Sequence, residues 1–108
     1  MRKKSIVGSD KSNKKDWHYA CQTVLAELLD KDISAPFQFP VDSLYEILPN
    51  YFDIIKNPMD LSCVKKKLKN GKYTSALHFL KDVRRTFNNA MTYNEEESQV
   101  YAYAKELI

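Results

Sequence analysis

Apolar positions near the start of the chain recur three and four residues apart, with polar residues between them. This spacing places one set of side chains on a single face of a helix. The pattern begins after Asp16, which suits an N-cap or first-turn position, and it predicts a helix over residues 16–31. The apolar positions are Trp17, Ala20, Cys21, Val24, Leu25, Leu28 and Leu29.

A second helix is predicted after Asp60, a good N-cap residue, and its end is marked by Asn70-Gly71. Leu61, Val64 and Leu68 are expected to face inward. Lysines occupy much of the remaining surface, at positions 65, 66, 67 and 69. They form either a solvated helix face with cations near its C-terminus or a patch that binds nucleic acid.

A third helix is predicted after a cap at Thr74 or Ser75, and a short fourth helix after Ser98. The inward positions of the third helix alternate in steps of four and three: Ala76, Leu80, Val83, Phe87, Ala90 and Asn94. In the fourth they are Tyr101, Ala104, Leu107 and Ile108, after which the chain ends, as expected of a fragment or an unusually short helix.

Residues 33–59 differ from the predicted helices, because they contain all four prolines of the chain and many apolar side chains. Proline blocks regular helix, so the pattern predicts a long connection with short helical turns at 42–46 and 50–55. An ordered loop of this length is usually functional. The fold predicted is therefore all-α, with four helices and one long crossover after the first.

Charge divides the chain into a basic arm and a mildly acidic body. Residues 1–15 hold six basic residues and one acid, net +5, while the remaining 11 basic and 13 acidic residues leave the body at −2. The arm is expected to be flexible, as a linker, a DNA-contacting arm or a nuclear-import segment. A body of this charge argues against general nucleic-acid binding.

Reactive residues form no catalytic pattern. Cys21 and Cys63 are far apart in sequence and are expected to be reduced, buried thiols, while His18 and His78 lack an acid partner in register. No metal-ligand spacing, phosphate loop or nucleophile–base set occurs, so an enzyme is not expected. No apolar stretch has the length of a signal peptide or membrane span, which favours a soluble intracellular chain.

Three segments occur in a specific order: PFQFPVD at 36–42, PNYFDIIKNPMDL at 49–61 and FNNAMTYN at 87–94. Over residues 16–108 this combination resembles the bromodomain family of acetyl-lysine readers. The resemblance implies a left-handed bundle of helices Z, A, B and C, with a pocket between the ZA and BC loops. It also implies a monomeric, non-enzymatic nuclear domain without cofactor or metal, which binds acetylated histone tails and recruits its parent protein to chromatin.

The resemblance implies that Asn94 donates its side-chain N–H to the acetyl carbonyl, which Tyr51 reaches through an ordered water. Phe37 would contact the acetyl methyl group, and Val100 would be the gatekeeper. The other implied pocket residues are Pro36, Val41, Leu48 and Tyr93, and the implied rim residues are Ala35, Phe39, Glu46 and Glu95.

The chain departs from the family pattern at several positions. Ala35 stands where the family commonly has the Trp of an aromatic shelf, Phe52 replaces a second Tyr, and Glu46 adds charge at the rim. We therefore expect an open flank that weakens shelf-dependent ligands. The three acids at 95–97 either attract a lysine-rich peptide or form a solvated loop and the acidic start of a helix.

Two rival functions stay open at this point. If Asn94 is only a helix C-cap and the pocket is closed, the chain is a helical adaptor. If the arm and the lysines at 65–72 dominate, it is a nucleic-acid binder, with a salt-steep affinity that survives Asn94→Ala.

Overall fold

The computed structural model describes residues 10–41 and 50–108, with side chains from residue 16 onward in those ranges, and these residues form an all-helical fold. The all-α class predicted from the sequence is confirmed. The helices are α1 (Asp10–Asp30), a 3₁₀ helix (Asp32–Phe37), α2 (Tyr51–Ile54), α3 (Leu61–Lys69), α4 (Ala76–Tyr93) and α5 (Gln99–Leu107).

Helix α1 begins at Asp10, six residues before the predicted start. Residues 10–15, which the sequence analysis assigns to the basic arm, are thus helical in their backbone, while residues 1–9 lie outside the described chain. Residues 10–15 contain no apolar position, so hydrophobic spacing could not reveal them. Extending an existing helix is far easier than nucleating one, which allows a polar first turn and a half.

Side-chain caps fix the starts of the later helices. Asp60 accepts hydrogen bonds from the backbone N–H groups of Ser62 at 2.9 Å and Cys63 at 3.2 Å. Ser75 caps α4 by accepting from the N–H of His78 at 3.3 Å. Ser98 caps α5 through the N–H of Tyr101 at 3.1 Å, so the predicted caps at 60, 75 and 98 are confirmed.

The core lies where α1, α3 and α4 meet, and its most deeply buried large side chains are Leu61, Val64, Phe79 and Phe87. The prediction was wrong at four positions, because Ala20, Val24, Leu80 and Ile108 are exposed. In α4 the buried stripe instead comprises Phe79, Asp82, Val83, Thr86, Phe87 and Ala90. The aromatic ring of Phe79 fills the core position beside Tyr73, edge to face at 5.9 Å.

A buried carboxylate ties α3 to α4. Asp82 accepts from Lys67 Nζ at 2.6 Å and from the Tyr73 hydroxyl at 2.8 Å, and Arg85 lies 3.8 Å away. Burial alone would raise the pKa of Asp82, but the bonds from Lys67 and Tyr73 outweigh it and hold that pKa below its usual value. Lys67 is thus a structural cation, not part of a free basic face.

The long connection contains more regular structure than the prolines suggested. The 3₁₀ helix that follows α1 includes Pro36 and ends at buried Phe37, whose ring meets that of Phe87 edge to face at 5.2 Å. Further on, Asn50 takes a left-handed conformation (φ 60°) directly before α2. The turn predicted at 50–55 is present as Tyr51–Ile54, while the one at 42–46 lies outside the described residues.

Candidate binding site

A cavity of about 220 Å³ opens beside the end of α4. It is bordered by the end of the 3₁₀ helix and the loop after it, by α2, and by the first turn of α5. The structure brings eight of the predicted site residues together here: Pro36, Phe37, Phe39, Val41, Tyr51, Tyr93, Asn94 and Val100. Their neighbourhood is mostly apolar, with the Asn94 amide and the tyrosine hydroxyls as polar groups.

Two predicted rim residues are not among the described lining residues, and two further predicted positions lie outside the described chain. Ala35 is exposed and does not line the cavity. Glu95 is also exposed and borders a second, more open cavity, which is lined by Tyr93, Asn94, Glu95, Glu97 and Ser98. Leu48 and Glu46 lie outside the described residues.

The lining also contains Met59, Asp60, Thr86 and Ala90, which the sequence prediction of the site did not include. Thr86 and Ala90 precede Asn94 by eight and four positions on α4. Residues at this spacing share one side of a helix, so the position of Asn94 could have identified both. The sequence predicts Asp60 only as the cap of α3, although Asp60 belongs to the segment at 49–61 that carries part of the family resemblance.

Asn94 is held in place by the last turn of α4. Its backbone N–H and its side-chain Nδ2 both donate to the carbonyl of Ala90, each at 2.9 Å. At Asn94 the backbone becomes extended (φ −91°, ψ 151°), so the residue ends the helix. Asn94 is therefore a C-cap and a cavity residue at once. Its second amide N–H and its amide oxygen make no hydrogen bond with the described residues.

Tyr51 supplies a buried hydroxyl to the cavity. The residue is 6% exposed, and its hydroxyl has no hydrogen-bond partner within the described part of the chain. Burial, followed by the nearby Tyr93 and Asp60, raises the pKa of the Tyr51 phenol. The hydroxyl thus keeps its proton at neutral pH and can donate to a bound group or to water.

The buried carboxylate of Asp60 is already committed to helix α3. Its Oδ2 accepts from the N–H groups of Ser62 and Cys63 and from the Ser62 hydroxyl. These donors and the positive end of the helix compensate its charge. The carboxylate is therefore poorly placed to serve as counter-ion for a cation in the cavity.

A long-range hydrogen bond joins α4 to the segment that precedes α3. The side-chain Nδ2 of Asn89 donates to the carbonyl of Asn57 at 2.9 Å. This segment continues into Met59 and Asp60, which line the cavity. Asn89 therefore fixes one wall of the cavity from outside it.

Catalytic groups do not assemble in the part of the chain that the structure describes. His18 lies against the Leu68 carbonyl at 3.1 Å and His78 against the Thr74 hydroxyl at 2.7 Å. Cys21 and Cys63 are free thiols, the first buried and the second half-buried, and burial raises the pKa of both. No metal-binding group of side chains is found among the described residues.

Among the described helices, none is both long and apolar enough to cross a membrane.

Comparison with known proteins gives a consistent result. The Bromodomain family model matches residues 21–106. An ankyrin repeat, bromo and BTB domain-containing protein of Dictyostelium discoideum is 44% identical over 100 residues, 93% of this chain and 12% of that protein. Transcription factor GTE11 of Arabidopsis thaliana is 46% identical over 87 residues, covering 81% of this chain and 14% of that protein.

A fungal relative gives the same picture. Bromodomain-containing factor 2 of Saccharomyces cerevisiae is 40% identical over 90 residues, covering 81% of this chain and 14% of that protein. The chain thus spans less than a sixth of the length of each of these three relatives. The family match covers well over half of the residues and includes α3, α4 and all the described residues that line the cavity. The chain belongs to the bromodomain family.

Proposed function

We propose that this domain is a non-enzymatic reader that binds acetylated lysine in the cavity beside Asn94. The observation that carries the proposal is the fixed Asn94 amide at the end of an apolar cavity. Because the Ala90 carbonyl holds one N–H of this amide, the other N–H can donate to an acetyl carbonyl without a large ordering cost. Tyr51 contacts the same carbonyl oxygen through a water molecule.

The apolar wall accounts for the choice of the acetylated side chain. Acetyl-lysine is a neutral amide on a methylene stem, which suits a slot lined by Phe37, Val41 and Val100. An unmodified ammonium would lose its hydration there with no free counter-ion, which costs several kcal/mol. The Asn94 bond itself contributes about 1–2 kcal/mol. Rejection of the charge therefore contributes more to selectivity than attraction of the acetyl group.

The binding partners we propose are acetylated histone tails, and the proposed location is the nucleus. Two observations support this: the chain belongs to the bromodomain family, and one relative is named a transcription factor. In this role the domain recruits its parent protein to acetylated chromatin as a monomeric module. A single shallow contact of this kind is weak, so linkage to other binding domains would raise the overall affinity.

The test is calorimetric titration of Asn94→Ala with an acetylated histone-tail peptide. We expect at least a tenfold loss of affinity, since every tenfold corresponds to about 1.4 kcal/mol. Thr92→Ala is the matched control, because it removes a side-chain bond of the same 2.9 Å length to a carbonyl of the same helix, from an exposed residue that does not line the cavity. That variant should keep its affinity. An unchanged titration for Asn94→Ala, with the fold intact by circular dichroism, would exclude the proposed role.

A further inference from the structure

Phe39 is the described residue at which the cavity wall and an exposed aromatic surface coincide. It lines the cavity, yet the residue is 64% exposed to solvent. The other exposed large apolar residues within the described chain lie outside the cavity lining: Tyr19, Val24, Phe52, Ile54, Leu77, Leu80 and Ile108. Phe39 thus presents apolar surface at the one place where a bound peptide would pass.

The rim of the cavity beyond Asn94 differs chemically from the rim around Phe39. The second, more open cavity shares Tyr93 and Asn94 with the first, but it adds Glu95 and Glu97 and does not include Phe39. The region beyond Asn94 is therefore polar and acidic. The region around Phe39, together with Pro36 and Val41, is apolar. A peptide bound across the mouth meets two different surfaces.

We propose that Phe39 determines which peptides bind, by packing against a bulky apolar side chain within two residues of the acetylated lysine. This inference rests on the proposed function. The cavity of about 220 Å³ accommodates a single long side chain, so neighbouring peptide residues must lie over the rim. In an extended peptide, side chains two positions apart project to the same side and are separated by roughly 6–7 Å. One of them then lies over Phe39 while the acetyl-lysine is inserted.

The expected effect follows from the area covered. Burying roughly 40 Å² of aromatic surface in such a contact corresponds to about a fivefold gain in affinity. The contact adds no hydrogen bond and no charge, so the gain should depend only weakly on salt. A leucine is a suitable probe because it is bulky, apolar and short enough to remain over the ring.

The experiment uses acetyl-lysine peptides in a glycine–serine background, with leucine placed in turn at each of the four positions within two residues. We expect leucine at one or more positions to tighten binding to the unmodified domain about fivefold. Phe39→Gln should remove this gain, which is measured within each variant as the ratio of its affinities for the leucine-bearing and leucine-free peptides. Phe39→Leu, which preserves an apolar side chain, should retain most of the gain.

Tyr19→Gln is the matched control, since Tyr19 is a 70% exposed aromatic residue on α1 away from the cavity. It should leave the leucine gain unchanged. The inference is overturned if no leucine position tightens binding, or if the gain persists in Phe39→Gln. Failure of the proposed function looks different, because the leucine-free acetylated peptide would then bind no better than its unacetylated form, or would bind Asn94→Ala unchanged.

Discussion

The rings of Tyr51 and Tyr93 meet edge to face, with centroids 4.9 Å apart and planes inclined at 60°. The contact joins α2 to the last residue of α4, so it connects the two elements that supply the polar groups of the cavity. Aromatic pairs in this geometry contribute about 0.5–1.5 kcal/mol beyond the area they bury. The pair therefore positions the Tyr51 hydroxyl relative to Asn94 before any ligand arrives.

Tyr51→Phe separates the ring from its hydroxyl. Because that hydroxyl bonds to none of the described residues, its removal should change the unfolding free energy by less than about 0.5 kcal/mol. Affinity for an acetylated peptide should fall about three- to tenfold, since one water-mediated bond is lost. Calorimetry and thermal unfolding measure the two effects. A large loss of stability with unchanged affinity would show that the hydroxyl is structural.

The Asp82 cluster predicts a defined response to acid. The pKa of Asp82 is lowered in the folded state, so the stabilisation is present above the unfolded pKa of about 3.9 and is lost as pH falls through the folded value. Asp82→Asn should therefore cost about 2 kcal/mol at pH 7, since bonds to a charged group are lost. The difference from the unmodified domain should shrink as the pH falls below about 4.

Urea unfolding between neutral pH and pH 2 to 3, roughly the range over which carboxylates titrate, measures this difference. Asp53→Asn is the control, because Asp53 is exposed on α2 and has no ion pair within the described residues. Asp53→Asn should change the unfolding free energy by no more than about 0.5 kcal/mol at each pH. If the difference in unfolding free energy between Asp82→Asn and the unmodified domain is independent of pH, the carboxylate charge contributes nothing to stability.

Ala35→Trp tests the open flank of the cavity. Ala35 is exposed and directly precedes Pro36, which lines the wall, so an indole there would add apolar surface beside the mouth. The affinity for acetyl-lysine mimics that carry an extra aromatic ring should rise roughly threefold or more, whereas the affinity for a short acetylated peptide should change by less than about twofold. Competition binding with both ligand types makes the comparison. Equal changes for both would refute the idea of a missing shelf.

The sequence predicted helices wherever an apolar period and a polar cap occurred together. Asp60, Ser75 and Ser98 each mark a start within one residue of the observed helix. The early start of α1 was missed, because residues 10–15 carry no apolar signal. The 3₁₀ helix was not predicted, because a proline such as Pro36 indicates irregular structure in a sequence pattern.

Burial within a helix was harder to predict than the helix itself. Spacing placed Leu80 in the core, but the larger ring of Phe79 is buried there. The burial of Asp82 depends on Lys67 and Tyr73, which approach from outside α4 through tertiary packing. No local pattern reports such a partner, because the compensating charge is 15 residues away in the chain.

The candidate site was predictable from the family motif and not from physical pattern alone. Asn94 by itself resembles an ordinary C-cap, and the structure has it in that conformation. The contributions of Thr86 and Ala90 follow from helical geometry once Asn94 is placed. The family resemblance implies Phe39 at the rim, but its high exposure could not be predicted, because the exposure depends on how the loop leaves the 3₁₀ helix.

The carbonyl of Ala90, which accepts two hydrogen bonds from Asn94, links ligand binding to the local opening of α4. When the last turn of the helix frays, the backbone and side-chain hydrogen bonds of Asn94 are lost together. A ligand that engages only the ordered amide therefore binds with an apparent affinity that is reduced by the frayed fraction, and it stabilises this helix end in return. A substitution far from the cavity can therefore weaken binding if it loosens this helix end, although every residue that touches the ligand is unchanged.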